Sequence, residues 1–292
     1  MPELPEVMVV ADQLKDKMCG KKLKNLNILI NSRYYPHGIQ GKEYLESFID
    51  IDNDKIIYNF DGIINNVYNR GKTIIIEVYD NNSNRVYLLI SHMKMNGRWS
   101  FDKCTHPSII LEICKLVGKL GMDGDSEFIY FEDSDKKAYF KCICTKEDYD
   151  IAMRDIGEEY INITYDKFRK KIYSYRLNKT TISAFLLNQK WFSGIGNYLK
   201  SEILYVSKIS PHRLIHSLTE QNVKDLFDNI KYIIKESYNN KGCTLYTFIH
   251  PDGNKGGYIP KVYGRKYDDL GNKITVDIID ERITYWVKNI QE

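Results

Sequence analysis

No cysteine lies beyond Cys243, and no two of the six, Cys19, Cys104, Cys114, Cys142, Cys144 and Cys243, have the Cys-x2-Cys spacing. A structural zinc site needs closely spaced ligand pairs, so none is expected here. The thiols read as buried or half-buried groups of a reducing compartment. Long apolar runs are also missing: Ile74–Ile76 and Val86–Ile90 are strand-sized, far short of the roughly 18 residues of a membrane span. Residues 1–20 carry no basic start, apolar block and small-residue cleavage site, so no secretory leader is expected. A soluble intracellular protein with no membrane partner is expected. Neither an internal repeat nor a low-complexity tail is present.

The overall charge of +3 excludes little, but its distribution is uneven. Residues 161–292 hold 21 Lys and Arg against 13 Asp and Glu, a net of +8, which leaves −5 for residues 1–160. A basic C-terminal half suits a polyanionic partner, although solvated helix faces are often basic too.

A chain of 292 residues suits two domains. Val7, Val10, Ala11, Leu14 and Met18 form one helical stripe, stopped by Gly20. From about residue 23 to 145 short β-rich runs alternate with turn clusters: Leu26–Ile30, Thr73–Val78, Val86–Ile90, Ser108–Leu116 and Glu127–Phe131. Beyond about 150 the period becomes helical, with candidates over 166–176, 181–189 and 197–207. Ser217-Leu218-Thr219-Glu220 reads as a capping box opening a long amphipathic helix. Strand signals return at 261–266, 274–278 and 283–287. The pattern predicts an α+β protein: an N-terminal helix and β-sandwich domain over 1–150, then a helical domain over 151–292 ending in a β-hairpin.

Four sites carry chemistry. In Met1-Pro2-Glu3-Leu4-Pro5-Glu6-Val7 the prolines and acids suit a helix start, yet Pro2 and Glu3 precede the helical stripe. With Met1 removed, Pro2 offers a secondary amine far more often neutral at pH 7 than a lysine, able to attack a sugar C1′ and form an iminium. Glu3 beside it can protonate the opening ring and later remove a proton. Lys72, in Arg70-Gly71-Lys72, sits on a β-turn, where a lone lysine is most often simply solvated. Gly194-Ile195-Gly196-Asn197 joins two helix candidates; with Asn197 as cap, the helix N-terminus offers a phosphate site, or only a helical hairpin. Arg282 lies on the terminal hairpin.

Together, in this order and spacing, these sites resemble the formamidopyrimidine-DNA glycosylase / endonuclease VIII family over essentially the whole chain. The opening Pro2-Glu3-Leu4-Pro5-Glu6-Val7 matches its signature. The stretch from Leu187-Asn188-Gln189 through Asn197-Tyr198 to Pro211 is similar to its helix–two-turn–helix, and Val262-Tyr263-Gly264-Arg265-Lys266 to the entry of its finger. The resemblance implies a DNA repair glycosylase with abasic-site lyase activity that needs no cofactor and acts as a monomer on damaged DNA. Pro2 would be the Schiff-base nucleophile, Glu3 the acid/base and Glu6 a supporting carboxylate. Lys72, Asn197 and Arg282, with the turn glycines Gly194 and Gly196, would hold phosphates around an extruded nucleotide.

Three departures and features follow from the same resemblance. The family's four-cysteine finger has no counterpart, so the finger, about residues 259–292, is expected to be zincless. Met95 matches the methionine inserted where the flipped base leaves a gap, but the expected arginine and phenylalanine are replaced by Asp133-Ser134-Asp135-Lys136-Lys137-Ala138-Tyr139-Phe140. Lys136 or Lys137 could stand in for the arginine only as a point charge. Gly242-Cys243-Thr244-Leu245, Phe248 and 251–258, with Gly253, Gly256 and Tyr258, resemble a lesion-capping loop or are a mobile surface loop. The loop favours oxidised purines first and oxidised pyrimidines next. A damaged-DNA binder without activity is the alternative.

Overall fold

The computed structural model describes residues 2–50, 53–81, 83–117, 122–174, 179–244 and 248–292. The chain divides into two compact units. One gathers Met1–Pro2, Glu6–Met153 and Leu245–Gly256; the other gathers Glu3–Pro5, Arg154–Thr244 and Gly257–Glu292. Each unit therefore borrows a short segment from the far part of the chain. Among the described residues, no helix is long and apolar enough to cross a membrane.

In the first unit, helix α1 (Leu4–Met18) lays Val7, Val10, Leu14 and Met18 into one core. Gly20 follows at φ 77°, a left-handed position that ends the helix at low cost. The strands are β1 (Lys22–Leu29), β2 (Ser47–Asp50), β3 (Lys55–Arg70), β4 (Thr73–Asp80), β5 (Arg85–His92), β6 (Arg98–Ser100), β7 (Pro107–Val117), β8 (Met122–Glu132) and β9 (Tyr139–Ile143). They form one nine-stranded sheet in the order β6-β8-β7-β1-β3-β4-β5-β9, with β2 also on β3. Its two ends meet. Trp99 on β6 stacks 6.2 Å from Phe140 on β9 and donates from Nε1 to Ser91 Oγ on β5 at 3.2 Å. The sheet thus folds over its own apolar face, as a β-sandwich does, and leaves Trp99, Phe131 and Phe140 inside. Helix α2 (Lys146–Met153) closes this unit.

In the second unit β10 (Glu158–Glu159) pairs in parallel with β11 (Phe192–Ser193). Around them lie α3 (Tyr165–Ile172), α4 (Ile182–Leu187), α5 (Asn197–Val206) and α6 (Glu220–Asn239). Tyr160, Phe168, Phe185, Phe192 and Phe227 form a chain of ring contacts at their centre. The capping box is shifted from its expected place: Thr219, not Ser217, caps α6 through Asn222 N–H, and Asn222 returns the bond. Ser217 is spent in the preceding turn, bonding Leu214 O. Helix α3 ends at Ile172, earlier than the 166–176 expected, and 175–178 lie outside the described residues. Strands β12 (Thr275–Ile279) and β13 (Arg282–Trp286) form the terminal hairpin. The strand expected over 261–266 is absent: Lys261, Val262 and Tyr263 give their N–H groups to the buried carboxylate of Glu202 instead of to a ladder.

Candidate functional site

In the second unit, the two motifs at the start of the chain and at the helix junction interlock. Leu4 N–H donates to Gly194 O at 3.0 Å. Gly194 has φ 111°, and a Cβ there would stand 2.9 Å from Leu4 Cβ. Gly196 has an ordinary backbone; its need is space, since a Cβ would fall 2.3 Å from Glu3 Cδ. Gln189 holds the turn, donating to Leu187 O and Ile195 O at 2.8 Å each and accepting from Gly194 N–H at 3.0 Å.

Into the space left by Gly196 goes the Glu3 carboxylate, 3% exposed. It accepts from the N–H groups of Gly196 at 2.6 Å, Tyr198 at 2.9 Å and Leu199 at 3.2 Å. Free N–H groups and the helix dipole stabilise negative charge at this end of a helix. Here Glu3, not a side chain of α5 itself, supplies that charge. This corrects the expectation for Asn197. The N-cap is Gly196, and Asn197 is the first helical residue. Its Nδ2 donates to Ile283 O at 2.6 Å and its Oδ1 accepts from Lys200 Nζ at 2.9 Å. Asn197 thus joins α5 to the hairpin, where Arg282 stands exposed at the start of β13.

Lys200 was not singled out by sequence reasoning. Its side chain is fully buried, and Nζ also donates to Thr284 Oγ1 on the hairpin at 2.6 Å. Burial pushes the ammonium down to about 8, with Glu3 and Asp280 opposing the shift and Arg282 adding to it. The available signal was a charge on the apolar side of a helix, in Tyr198-Leu199-Lys200-Ser201-Glu202-Ile203.

In the first unit, Pro2 and Glu6 are buried. Lys72 closes the β3–β4 turn between the paired residues Arg70 and Thr73, and is buried, not solvated. His92 lies in the field of Lys72 and Lys94; burial first, then these two charges, hold it down to about 4, so it is neutral at pH 7. Its Nδ1 accepts from Lys94 N–H at 3.0 Å. Lys94 has φ 54°, and Gly97 N–H closes the turn on Met93 O at 2.8 Å. The turn presents Met95, 56% exposed. Asn96 next to it bonds the Asp135 carboxylate, which ties this turn to the exposed 134–137 loop carrying Lys136 and Lys137. Phe140 is a core residue, packed on Trp99 and Phe131, and offers no exposed aromatic.

The expected lesion loop is divided. Gly253, at φ 84° with open space beside it, and buried Gly256 belong to the first unit. There the loop is hydrogen-bonded: Gly253 N–H bonds His250 O, Phe101 N–H bonds Pro251 O, and Gln13 bonds Asp252. Tyr258 belongs to the second unit and is buried, its hydroxyl donating to Glu202 at 3.0 Å. It is a supporting group, not a loop contact. Leu245 lies outside the described residues.

A four-cysteine zinc finger does not fit the C-terminal hairpin, because residues 259–292 contain neither cysteine nor histidine. Packing holds the hairpin instead. Val262, Ile274 and Val287 form a small core with Tyr205, Tyr285 and Ile290, and Trp286 Nε1 and His212 both bond Asp277.

Residues 1–156, more than half of the chain, match the formamidopyrimidine-DNA glycosylase N-terminal domain, and 159–248 match the formamidopyrimidine-DNA glycosylase H2TH domain. A formamidopyrimidine-DNA glycosylase from Lactococcus lactis is 27% identical over 85% of this chain and 82% of its own length. One from Pelotomaculum thermopropionicum is 26% identical over 100% and 99%. Among solved structures, the MutM (Fpg) protein of Thermus thermophilus superposes with a TM-score of 0.78 at 21% identity, covering 99% of this chain and 98% of that one. Lactococcus lactis Fpg in complex with abasic-site DNA gives 0.75 at 22% identity, covering 99% of both chains.

Proposed function

The chain belongs to the formamidopyrimidine-DNA glycosylase family, and from that premise we propose that it is a bifunctional DNA glycosylase and abasic-site lyase of base excision repair. The observation that carries the reading is the seat of Glu3: a carboxylate fixed by three N–H groups at the head of α5, one residue from Pro2. With Met1 removed, the Pro2 amine attacks C1′ of the damaged nucleotide. The base departs with the glycosidic electron pair; Glu3 relays the proton of the attacking Pro2 amine to O4′, the C1′–O4′ bond breaks, and the ring-opened sugar is left as an iminium on Pro2. Glu3, a carboxylate again after that transfer, takes the C2′ proton whose loss expels the 3′ phosphate. Glu6 supports the amine. No metal or cofactor is required by these steps.

Substrate assignment follows the same reading. Oxidised purines, formamidopyrimidine and 8-oxoguanine, come first and oxidised pyrimidines second. Lys72 in the N-terminal domain (1–150), and Asn197 and Arg282 in the C-terminal domain (151–292), would grip phosphates flanking the flipped nucleotide. Exposed Met95 on its left-handed turn is shaped as an apolar wedge. Solved relatives include complexes with abasic-site DNA and with DNA containing carbocyclic 8-oxo-G, in line with this class of partner.

The test is strand nicking. Purified protein should cut abasic-site duplex in the presence of EDTA and release the modified base from 8-oxoguanine or formamidopyrimidine duplex. Binding of both duplexes with neither reaction would replace this reading with that of a damaged-DNA binder.

A further inference from the structure

Lys200 is a fully buried cation whose hydrogen-bond partners, Asn197 Oδ1 and Thr284 Oγ1, are both neutral. A buried charge is expensive unless something of opposite sign compensates it. The facing groups do so only in part. Glu3 from the start of the chain and Asp280 from the hairpin attract the ammonium, while Arg282 from the same hairpin repels it, and burial outweighs both attractions. Glu3 is already occupied by three backbone N–H groups. The two side chains that would grip a phosphate sit beside this cation: Asn197 is bonded to it directly, and Arg282 lies on the hairpin strand that Lys200 holds through Thr284.

We propose that Lys200 is a positioning residue for the phosphate grip: it fixes Asn197 and the Arg282 strand in register, and a phosphodiester seated on them supplies its missing counter-charge. The proposal rests on the DNA-binding reading above. A simple structural lysine would not behave this way, because an apolar side chain of the same length would then serve as well or better.

The sign of the pH dependence follows from the charge. Free Lys200 loses its proton near pH 8. A phosphate beside it favours the ammonium, so binding takes up a proton, and affinity is full below that pH and falls above it. Between about pH 7 and pH 9 the loss should be about tenfold.

The experiment measures binding of the complete protein to a duplex carrying a tetrahydrofuran abasic analogue, across that pH range. Wild type should weaken about tenfold, Lys200→Met should bind weakly with a flatter profile, and Lys200→Arg should stay bound at high pH because guanidinium does not titrate there. The melting temperature of Lys200→Met should equal or exceed that of wild type, separating positioning from folding. A second measurement needs no variant: the Lys200 Cε resonance of wild type should titrate to a higher midpoint when the duplex is added. Lys200→Met matching wild type in affinity and pH profile, or a midpoint that DNA leaves unmoved, would overturn the proposal. A wild-type protein that binds no DNA at any pH would remove the DNA-binding reading itself, and this proposal with it.

Discussion

Two carboxylates of the second unit, Glu3 and Glu202, are buried in nearly the same manner. Glu3 accepts from three backbone N–H groups at the head of α5. Glu202, one turn and a half further along that helix, accepts from three backbone N–H groups at 261–263 and from the Tyr258 hydroxyl. Burial and bonding therefore do not separate the proposed acid/base from a carboxylate that folds the chain. The neighbours do. Glu3 follows Pro2, whose amine becomes free when Met1 is removed, whereas Glu202 is encircled by its own loop, which it replaces as the source of acceptors. The space beside each carboxylate differs as well: Gly196 keeps room at Glu3 that any other residue would fill.

Substitution by glutamine is the direct way to break this comparison. Glu3→Gln should lower base excision and nicking by the ~10²–10⁴-fold expected for loss of a general acid/base. Measured by single-turnover excision, a loss of only a few-fold would make Glu3 a second Glu202. In Glu202→Gln an amide donor faces backbone donors, and stability should drop by about 1–3 kcal/mol. Thermal unfolding reads that loss, and excision at a temperature where the variant is folded should stay within about threefold of wild type. A Glu202→Gln protein as inactive as Glu3→Gln would erase the distinction.

Much of this was legible in the sequence because each feature has a local physical cause. Strand cores such as Thr73–Val78 and the apolar stripe of α1 follow from side-chain periodicity, and Gly20 marks the end of α1. The interlock of Glu3 with Gly196 is a contact across 193 positions, so neither motif alone could reveal it, and only the joint resemblance to the family brought both forward. Where the reading failed, a distant group had taken the backbone. Glu202 removed the strand expected at 261–266, and Glu3 took the helix end assigned to Asn197. Lys200 was passed over because a lysine in a helix reads as solvated until its neighbours are known.

The central claim is that Pro2 is the nucleophile, and borohydride trapping tests it most directly. Protein with a free Pro2 and protein retaining Met1 would each be mixed with DNA bearing one formamidopyrimidine, 8-oxoguanine, thymine glycol or abasic site. A covalent adduct should form with free Pro2 only, strongest on an oxidised purine or the abasic site. Equal adduct from the Met1-blocked protein, or none from either while DNA remains bound, would contradict it.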